Sequence, residues 1–357
     1  LYVPASYTGD EPVPLLLNFH ALGSNAQQQM AFGDFRPIAD SAGFLITHPN
    51  GMEIEFGDRG WNIGPGEVDD VGFIAAMIDS IAAEYSINRK QVYATGMSEG
   101  GFLSHHLANL LSEDIAAIAS VSGTMTQYMV DVAAPVHPTP IMQIHGTADP
   151  IVPYEESPFP YLTVAEVLQY WVDFNNCDTI PIITEVPDIN PDNRITVEHH
   201  VYEGGDNDVT VEHFKVIGGT HAWPRITEEG GGNDIDASEE IWNFLSRYDI
   251  DGVTGIEAGD ISQTPATFLL SQNYPNPFNP QTTIRYTLQQ PGHIILKIYD
   301  TTGRLVQTLV DEQKASGEHS LIWNGMDADG RMVGSGVYFY RMDSNGSHDT
   351  KSMILLK

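Results

Sequence analysis

Gly96-Met97-Ser98-Glu99-Gly100 is the stretch on which the fold is decided. It follows the β-rich run Gln91-Val92-Tyr93-Ala94-Thr95 and opens an amphipathic run from Gly100 to Ser112. A serine between glycines at such a junction has the strand-turn-helix context of a nucleophile elbow, where the turn is tight and neighbouring backbone passes close to the serine. The spacing predicts a strand, a sharp turn and a helix, with Ser98 at the turn.

Outward from the elbow, short apolar runs alternate with longer amphipathic ones. Leu15 to Phe19, Gly43 to Thr47, Ile115 to Val121, Ile141 to Ile144 and Glu212 to Val216 read as further strands. Ala26 to Ala42, Val71 to Tyr85, Thr163 to Asn175 and Asp236 to Tyr248 read as helices by apolar spacing at three and four. Strands alternating with helices predict an α/β domain over residues 1–250, doubly wound around a mostly parallel sheet.

The texture then changes. Residues 251–266 are rich in Gly, Asp, Thr and Ser and read as a linker. Over 267–357, the prolines of Tyr274 to Pro280 forbid helix, and short alternating segments such as Thr283 to Leu288 and Ile294 to Tyr299 follow. Turn signals at Thr302-Gly303, Ala315-Ser316-Gly317, Asp329-Gly330 and Asn345-Gly346 space these runs as in a small antiparallel β-sandwich.

The 357 residues carry 16 basic against 48 acidic side chains, a net charge of -32, which repels phosphate backbones and anionic lipid. Nucleic acid is thereby excluded as a partner. The single cysteine, Cys177, has no partner for an internal disulfide, zinc cluster or redox pair. No apolar run approaches the roughly 18 residues of a membrane span. Leu1-Tyr2-Val3-Pro4 reads like the end of a strand, so the native chain is expected to start earlier.

A serine hydroxyl needs an imidazole to take its proton, and the imidazole needs a carboxylate to hold its tautomer. In folds of this kind they follow the serine in the order acid, histidine. Asp149 lies in His145-Gly146-Thr147-Ala148-Asp149-Pro150 just after one strand, and His221 in Gly218-Gly219-Thr220-His221 just after another. Both positions fall at carboxyl ends of strands, where sites gather in open α/β sheets. Taken alone, Asp149 reads more readily as an ordinary turn aspartate. His105, His106, His199, His200 and His213 read as surface or packing residues, and no pair of histidines has metal-ligand spacing on a helix. For the oxyanion, the backbone N–H of Glu99 and that of Leu22, in His20-Ala21-Leu22-Gly23, are the candidate donors. His20 reads as a loop-structuring residue, and the main-chain position of Glu99 accounts for that residue without a side-chain role.

Together these stretches, with Trp61-Asn62, Asp69-Asp70-Val71-Gly72-Phe73 and His221-Ala222-Trp223-Pro224, resemble the polyhydroxybutyrate-depolymerase-like and feruloyl-esterase-like branch of the α/β-hydrolases over about residues 1–248. The resemblance implies triad roles for Ser98, Asp149 and His221, with Trp61 and Trp223 bordering the acyl pocket. It also implies three departures: Ala21 where the family has glycine, Glu203 where it has the cysteine that would pair with Cys177, and an initial strand cut short at Leu1. The segment from Phe268 to Lys357 looks like a type IX secretion sorting domain of Gram-negative bacteria, through Asn273 to Pro280, Ile298-Tyr299-Asp300, Gly334 to Tyr338 and Lys351 to Lys357.

The expectation is a secreted or cell-surface serine carboxylesterase without metal or organic cofactor. Feruloyl or acetyl esters on plant polysaccharide are its expected substrates, and the type IX machinery its partner through the C-terminal domain. Three rival readings are a polyester hydrolase on polyhydroxyalkanoate or aromatic polyester, a serine peptidase, and a noncatalytic polysaccharide-binding protein.

Overall fold

A computed structural model describes residues 1–54, 58–66, 68–156, 160–226, 233–254, 268–270, 273, 275–276, 278–288, 291–300, 304–328, 330–344 and 347–355. Two compact units emerge, Leu1–Ile256 and Glu257–Lys357. The first runs β1 (Val13–Phe19), α1 (Ala26–Phe32), α2 (Arg36–Ala42), β2 (Leu45–Thr47), β3 (Met52–Glu53), β4 (Arg59–Gly60), α3 (Asp70–Glu84), β5 (Ile87–Met97), α4 (Glu99–Leu110), β6 (Ala117–Val121), α5 (Gln127–Asp131) and β7 (Ile141–Gly146). It continues through α6 (Val164–Phe174), β8 (Ile182–Val186), β9 (Thr196–Tyr202), β10 (Val211–Ile217), α7 (Ala237–Leu245), β11 (Tyr248–Asp249) and β12 (Gly252–Val253).

Eight strands form one sheet in the order β2-β1-β5-β6-β7-β10-β9-β8. The pairs from β2 through β10 are parallel, and β9 and β8 add to that edge antiparallel. Successive side chains of a strand point to opposite faces, so Leu15, Leu17 and Phe19 enter one core while Leu16 enters the other. Both faces are covered, which is why β1 reads as a continuous apolar run instead of an alternating one. Helices α3, α4 and α6 bring Ile74, Phe102 and Trp171 to the first core, whereas α2 and α7 bring Ile38 and Ile241 to the second.

Three features depart from the sequence reading. The single helix expected over Ala26 to Ala42 is broken, because Pro37 in the first turn of α2 has no N–H to continue a helix from α1 and its ring would clash with the carbonyl four residues earlier. The strand expected around His199 and His200 is β9, but its edge partner β8 was not foreseen; Ile182 and Ile183 face solvent at 56% and 55%, so β8 lacks the buried pattern of a sheet strand. Residues 251–254, assigned to the linker, instead include β12, which pairs with β11, while Ile250 N–H donates to Lys90 O. The remainder of the expected linker, 255–266, lies outside the described residues.

The second unit holds two antiparallel sheets, β13 (Phe268–Leu270), β14 (Thr282–Leu288) and β17 (Gly317–Trp323) in the order β13-β14-β17, and β15 (Gly292–Asp300), β16 (Leu305–Lys314), β18 (Gly336–Ser344) and β19 (Ser347–Leu355) in the order β16-β15-β18-β19. Alternate residues Ile284, Tyr286 and Leu288 from one sheet and Ile294, Leu296 and Ile298 from the other share one core, the pattern of a sandwich. Ala315-Ser316 joins β16 to β17 and so crosses between the sheets. The turns expected at 302–303, 329 and 345–346 lie outside the described residues.

Candidate active site

Ser98 stands between β5 and α4 with φ 55° and ψ -121°, a strained conformation for a residue with a Cβ. The surroundings hold it there: Ser98 N–H donates to Val121 O at 2.8 Å, and its own carbonyl accepts from Gly101 and Phe102 N–H at 2.8 and 3.0 Å. Gly100 is required at the turn because a Cβ there would stand 2.3 Å from Phe19 O. β1 can therefore pass against the start of α4, and the loop that follows β1 is brought beside the serine.

Asp149 and His221 come from loops at the ends of β7 and β10. These strands are adjacent, and the loops are joined by Thr147 N–H to Val216 O and Ala148 N–H to Gly219 O, both 2.9 Å, and by Gly218 N–H to Thr147 Oγ1 at 2.9 Å. Gly146 permits this, since a Cβ there would lie 2.3 Å from Gly219 O. His221 Nδ1 lies 2.8 Å from Asp149 Oδ2, across 72 residues of sequence. Asp149 Oδ1 accepts from Ile151 and Val152 N–H at 2.8 and 2.9 Å. Burial alone would raise the carboxyl's pKa, but hydrogen bonds from His145, His221 and the two amides outweigh it and hold Asp149 well below the usual carboxylate range. The Oγ of Ser98 makes no hydrogen bond among the described residues. The structure thus brings Asp149 and His221 into contact and sets Ser98 at the same strand-end edge.

A buried polar chain beneath Asp149 went unread in the sequence. Trp171 Nε1–H donates to His105 Nδ1 at 3.1 Å, and His105 Nε2 meets Gln143 Oε1 at 3.1 Å. Gln143 Nε2 donates to His145 Nδ1 at 3.1 Å, and His145 Nε2 meets Val152 O at 2.8 Å and lies 3.5 Å from Asp149 Oδ2. These partners assign the proton to Nε2 of both imidazoles. Burial lowers His105 to about 4, so it stays neutral. The position of His145 four residues before Asp149 was the available signal.

On the oxyanion side, the loop after β1 is fixed from several directions. His20 Nδ1 donates to Ala21 O at 2.8 Å and Nε2 accepts from Gly51 N–H at 2.9 Å, the loop-structuring part expected of it. Gly23 N–H donates to Arg59 O at 2.8 Å. Positive φ falls at Gly23, at 75°, and not at Ala21, so the family's glycine is not needed there for its backbone freedom. Neither the Leu22 nor the Glu99 amide donates to a neighbour among the described residues, and the Glu99 amide belongs to the first turn of α4, which lacks intrahelical acceptors.

The carboxyl of Glu99 has a role that its main-chain position did not suggest. Its Oε2 accepts from Trp61 N–H at 2.9 Å, while Asp70 Oδ2 accepts from Asn62 N–H at 2.6 Å, so two carboxyls from α4 and α3 hold consecutive amides of one strap. Burial pushes Glu99 up to about 7, with Asp70 adding to the rise against the Trp61 hydrogen bond.

The tryptophans expected to border the acyl pocket are placed inside the two cores. Trp61, 4% exposed, packs on Phe19 and His20 and donates Nε1–H to His20 O at 2.9 Å. Trp223, 5% exposed, packs on Phe35 and donates to Ser238 Oγ at 3.1 Å. Each indole satisfies its apolar face and its N–H internally and so braces the loop that carries it. Cys177 is a buried free thiol pushed up to about 11 by burial, and beside it Asp178 N–H donates to Glu203 O at 2.7 Å. Among the described residues no cluster of His, Cys, Asp and Glu could hold a metal, and no helix is long and apolar enough to cross a membrane.

Residues 70–178 match the phospholipase/carboxylesterase family, and residues 279–347 match the FlgD Ig-like domain. The chain is 28% identical over 190 residues to feruloyl esterase B of Piromyces equi, covering 50% of this chain and 35% of that protein. It is 27% identical over 254 residues to the bifunctional acetylxylan esterase/xylanase XynS20E of Neocallimastix patriciarum, covering 71% of this chain and 33% of that protein. The chain thus spans about a third of the length of these curated relatives. Among solved structures, the acetyl xylan esterase from Aspergillus awamori superposes with a TM-score of 0.50 at 14% identity, covering 69% of this chain and 92% of that one. At that identity the likeness is one of fold. The first unit therefore has an α/β-hydrolase fold similar to that of esterases, and the second is a β-sandwich similar to an Ig-like domain.

Proposed function

We propose that the chain is a serine carboxylic ester hydrolase working through an acyl-enzyme. The observation that carries the reading is the 2.8 Å contact of His221 Nδ1 with Asp149 Oδ2, made at the strand-end edge where the strained Ser98 turn also sits. In this reading Ser98 Oγ attacks the ester carbonyl while His221 Nε2 takes its proton. The amides of Leu22 and Glu99 receive the oxyanion. Collapse breaks the carbon–oxygen bond to the leaving alcohol, which departs with the proton from His221. Water, deprotonated by the same imidazole, then releases the acid and restores Ser98. Asp149 keeps Nδ1 protonated and Nε2 free throughout.

The relatives' names, feruloyl esterase and acetylxylan esterase, favour hydroxycinnamoyl or acetyl esters on plant polysaccharide as substrates. The test is incubation with an alkyl phosphonate ester, with methyl ferulate, a short acyl ester and a polyester film assayed alongside. The expected result is one phosphonyl adduct, mapped to Ser98 by peptide mass, and parallel loss of ferulate and acetate release. An unlabelled Ser98, or hydrolysis undiminished after labelling, overturns the reading.

The second unit serves in this proposal as a type IX sorting domain that places the enzyme outside a Gram-negative cell. The sandwich architecture and the match to an Ig-like domain support it, together with the motif resemblance of Gly334 to Tyr338 and Lys351 to Lys357. Residues 257–357 fused to a periplasmic reporter are expected to carry it to the surface or medium of a type IX-competent bacterium. Equal export from a strain lacking the translocon overturns this part.

A further inference from the structure

A groove of about 720 Å³ opens beside the oxyanion loop, on the side of β1 and β2. Its walls come from the segment after β2 and from the start of α3, and include Met52, Val68 and Phe73, which are 56%, 36% and 43% exposed. Leu22 and Ile54, 59% and 51% exposed, converge above Gly60, their terminal carbons 3.1 and 3.5 Å from where its Cβ would be. Three large apolar side chains left in water along the groove, with two more meeting at Gly60 next to the lining residue Arg59, are unfavourable unless something covers them. The volume falls within the roughly 300–1,000 Å³ of small-molecule sites.

The sheet order says which part of a substrate comes here. Ser98 ends the central strand β5; Asp149 and His221 end β7 and β10 on one side of it, and β1 and β2 lie on the other. His221 must deliver a proton to the leaving oxygen, so the alcohol occupies the β7–β10 side. The Leu22 and Glu99 amides take the carbonyl oxygen, and the side chains of both residues reach the position of a Gly60 Cβ at 3.1 Å, so the rim of the groove adjoins the reacting carbonyl on the side away from the alcohol. The rim adds a charge preference. Glu53, Asp69 and Asp70 line the groove against one cation, Arg59, whose Nη1 donates to Gly51 O at 3.0 Å, so the charges around it sum to a negative value. A carboxylate-bearing acyl chain would meet like charge.

We infer that this groove, flanked by Leu22 and Ile54 and lined by Met52, Val68 and Phe73, is the acyl subsite, built for a neutral apolar chain or ring. The inference rests on the ester-hydrolase reading and deepens it. Its test compares acetyl, butyryl, hydroxycinnamoyl and monosuccinyl esters of one alcohol on wild type, Phe73→Ala and Met52→Ala. Wild type is expected to prefer hydroxycinnamoyl and butyryl over monosuccinyl esters. In each variant the hydroxycinnamoyl-to-acetyl ratio of kcat/KM is expected to fall roughly tenfold or more, chiefly through KM, as lost apolar contact dictates. Ile180→Ala, at an 82% exposed residue preceding the far-edge strand β8, should leave the ratio unchanged. An unaltered ratio in both groove variants overturns the assignment, as does a change that follows the alcohol when the acyl group is held constant.

A binding measurement separates this inference from the catalytic one. Calorimetric titration of methyl ferulate into Ser98→Ala protein should show binding that Phe73→Ala weakens to a similar extent. Such binding without any hydrolysis by wild type would keep the groove and discard the hydrolase. Neither binding nor turnover would discard both.

Discussion

Ser98→Ala is expected to reduce turnover of acetyl and hydroxycinnamoyl esters by roughly four to six orders of magnitude, measured as kcat on purified protein. In the proposed mechanism the substitution removes the atom that forms the acyl-enzyme, while the Leu22 and Glu99 amides remain to give a small residual rate over water. The fold should be untouched. Ser98 is held by its backbone, through Val121, Gly101 and Phe102, and its hydroxyl makes no hydrogen bond among the described residues. Alanine tolerates φ 55° no worse than serine does, since both carry a Cβ. An unchanged circular dichroism melt together with full activity would sink the nucleophile assignment, and with it the acyl-enzyme mechanism.

Asp149→Asn comes next in size, with an expected loss of about ten-thousandfold in kcat near neutral pH. The carboxylate uses one oxygen for His221 and the other for the Ile151 and Val152 amides. An asparagine has one accepting oxygen. If that oxygen keeps the two loop amides, its NH2 faces His221 and imposes the tautomer with Nδ1 unprotonated, which leaves Nε2 unable to take the serine proton. The same variant changes the response to acid. Because the folded carboxyl titrates below its ordinary range, its contribution to stability is complete above about pH 4 and is lost as pH falls through the depressed folded value. Thermal melts between about pH 2 and 7 should therefore show a shallower acid-side decline for Asp149→Asn than for wild type. Identical slopes would mean that the ion–imidazole contact adds nothing to folding, and full activity would remove Asp149 from the mechanism.

Much of the architecture was legible locally. The run Leu15-Leu16-Leu17 marked a strand covered on both faces, and Gly96 to Gly100 marked the elbow, because both properties follow from backbone geometry and side-chain period over a few residues. The helix expected over Ala26 to Ala42 failed at one residue, Pro37, whose effect on the preceding turn outweighed the apolar spacing. Strand β8 escaped because an edge strand is only partly buried and leaves a weak pattern, whereas the run around His199 and His200 did read as a strand and is β9. The tryptophans show the limit from the other direction. An indole suits a substrate wall and a core equally well in sequence, and only the fold shows Trp61 packed on Phe19 and Trp223 on Phe35.

By itself, then, the sequence determined the alternation of strands and helices, the elbow at Ser98, and the order serine, acid, histidine, since each depends on residue type and near neighbours. Tertiary structure alone decided that Asp149 meets His221, that Glu99 and Asp70 hold the amides of Trp61 and Asn62, that His105, Gln143 and His145 form a chain beneath the acid, and that Met52, Val68 and Phe73 share one groove. The reason is physical. A hydrogen bond or a wall between residues far apart in sequence exists only once the sheet has put their strands in order, and a carboxyl such as Glu99 is raised only once the fold has taken its water away.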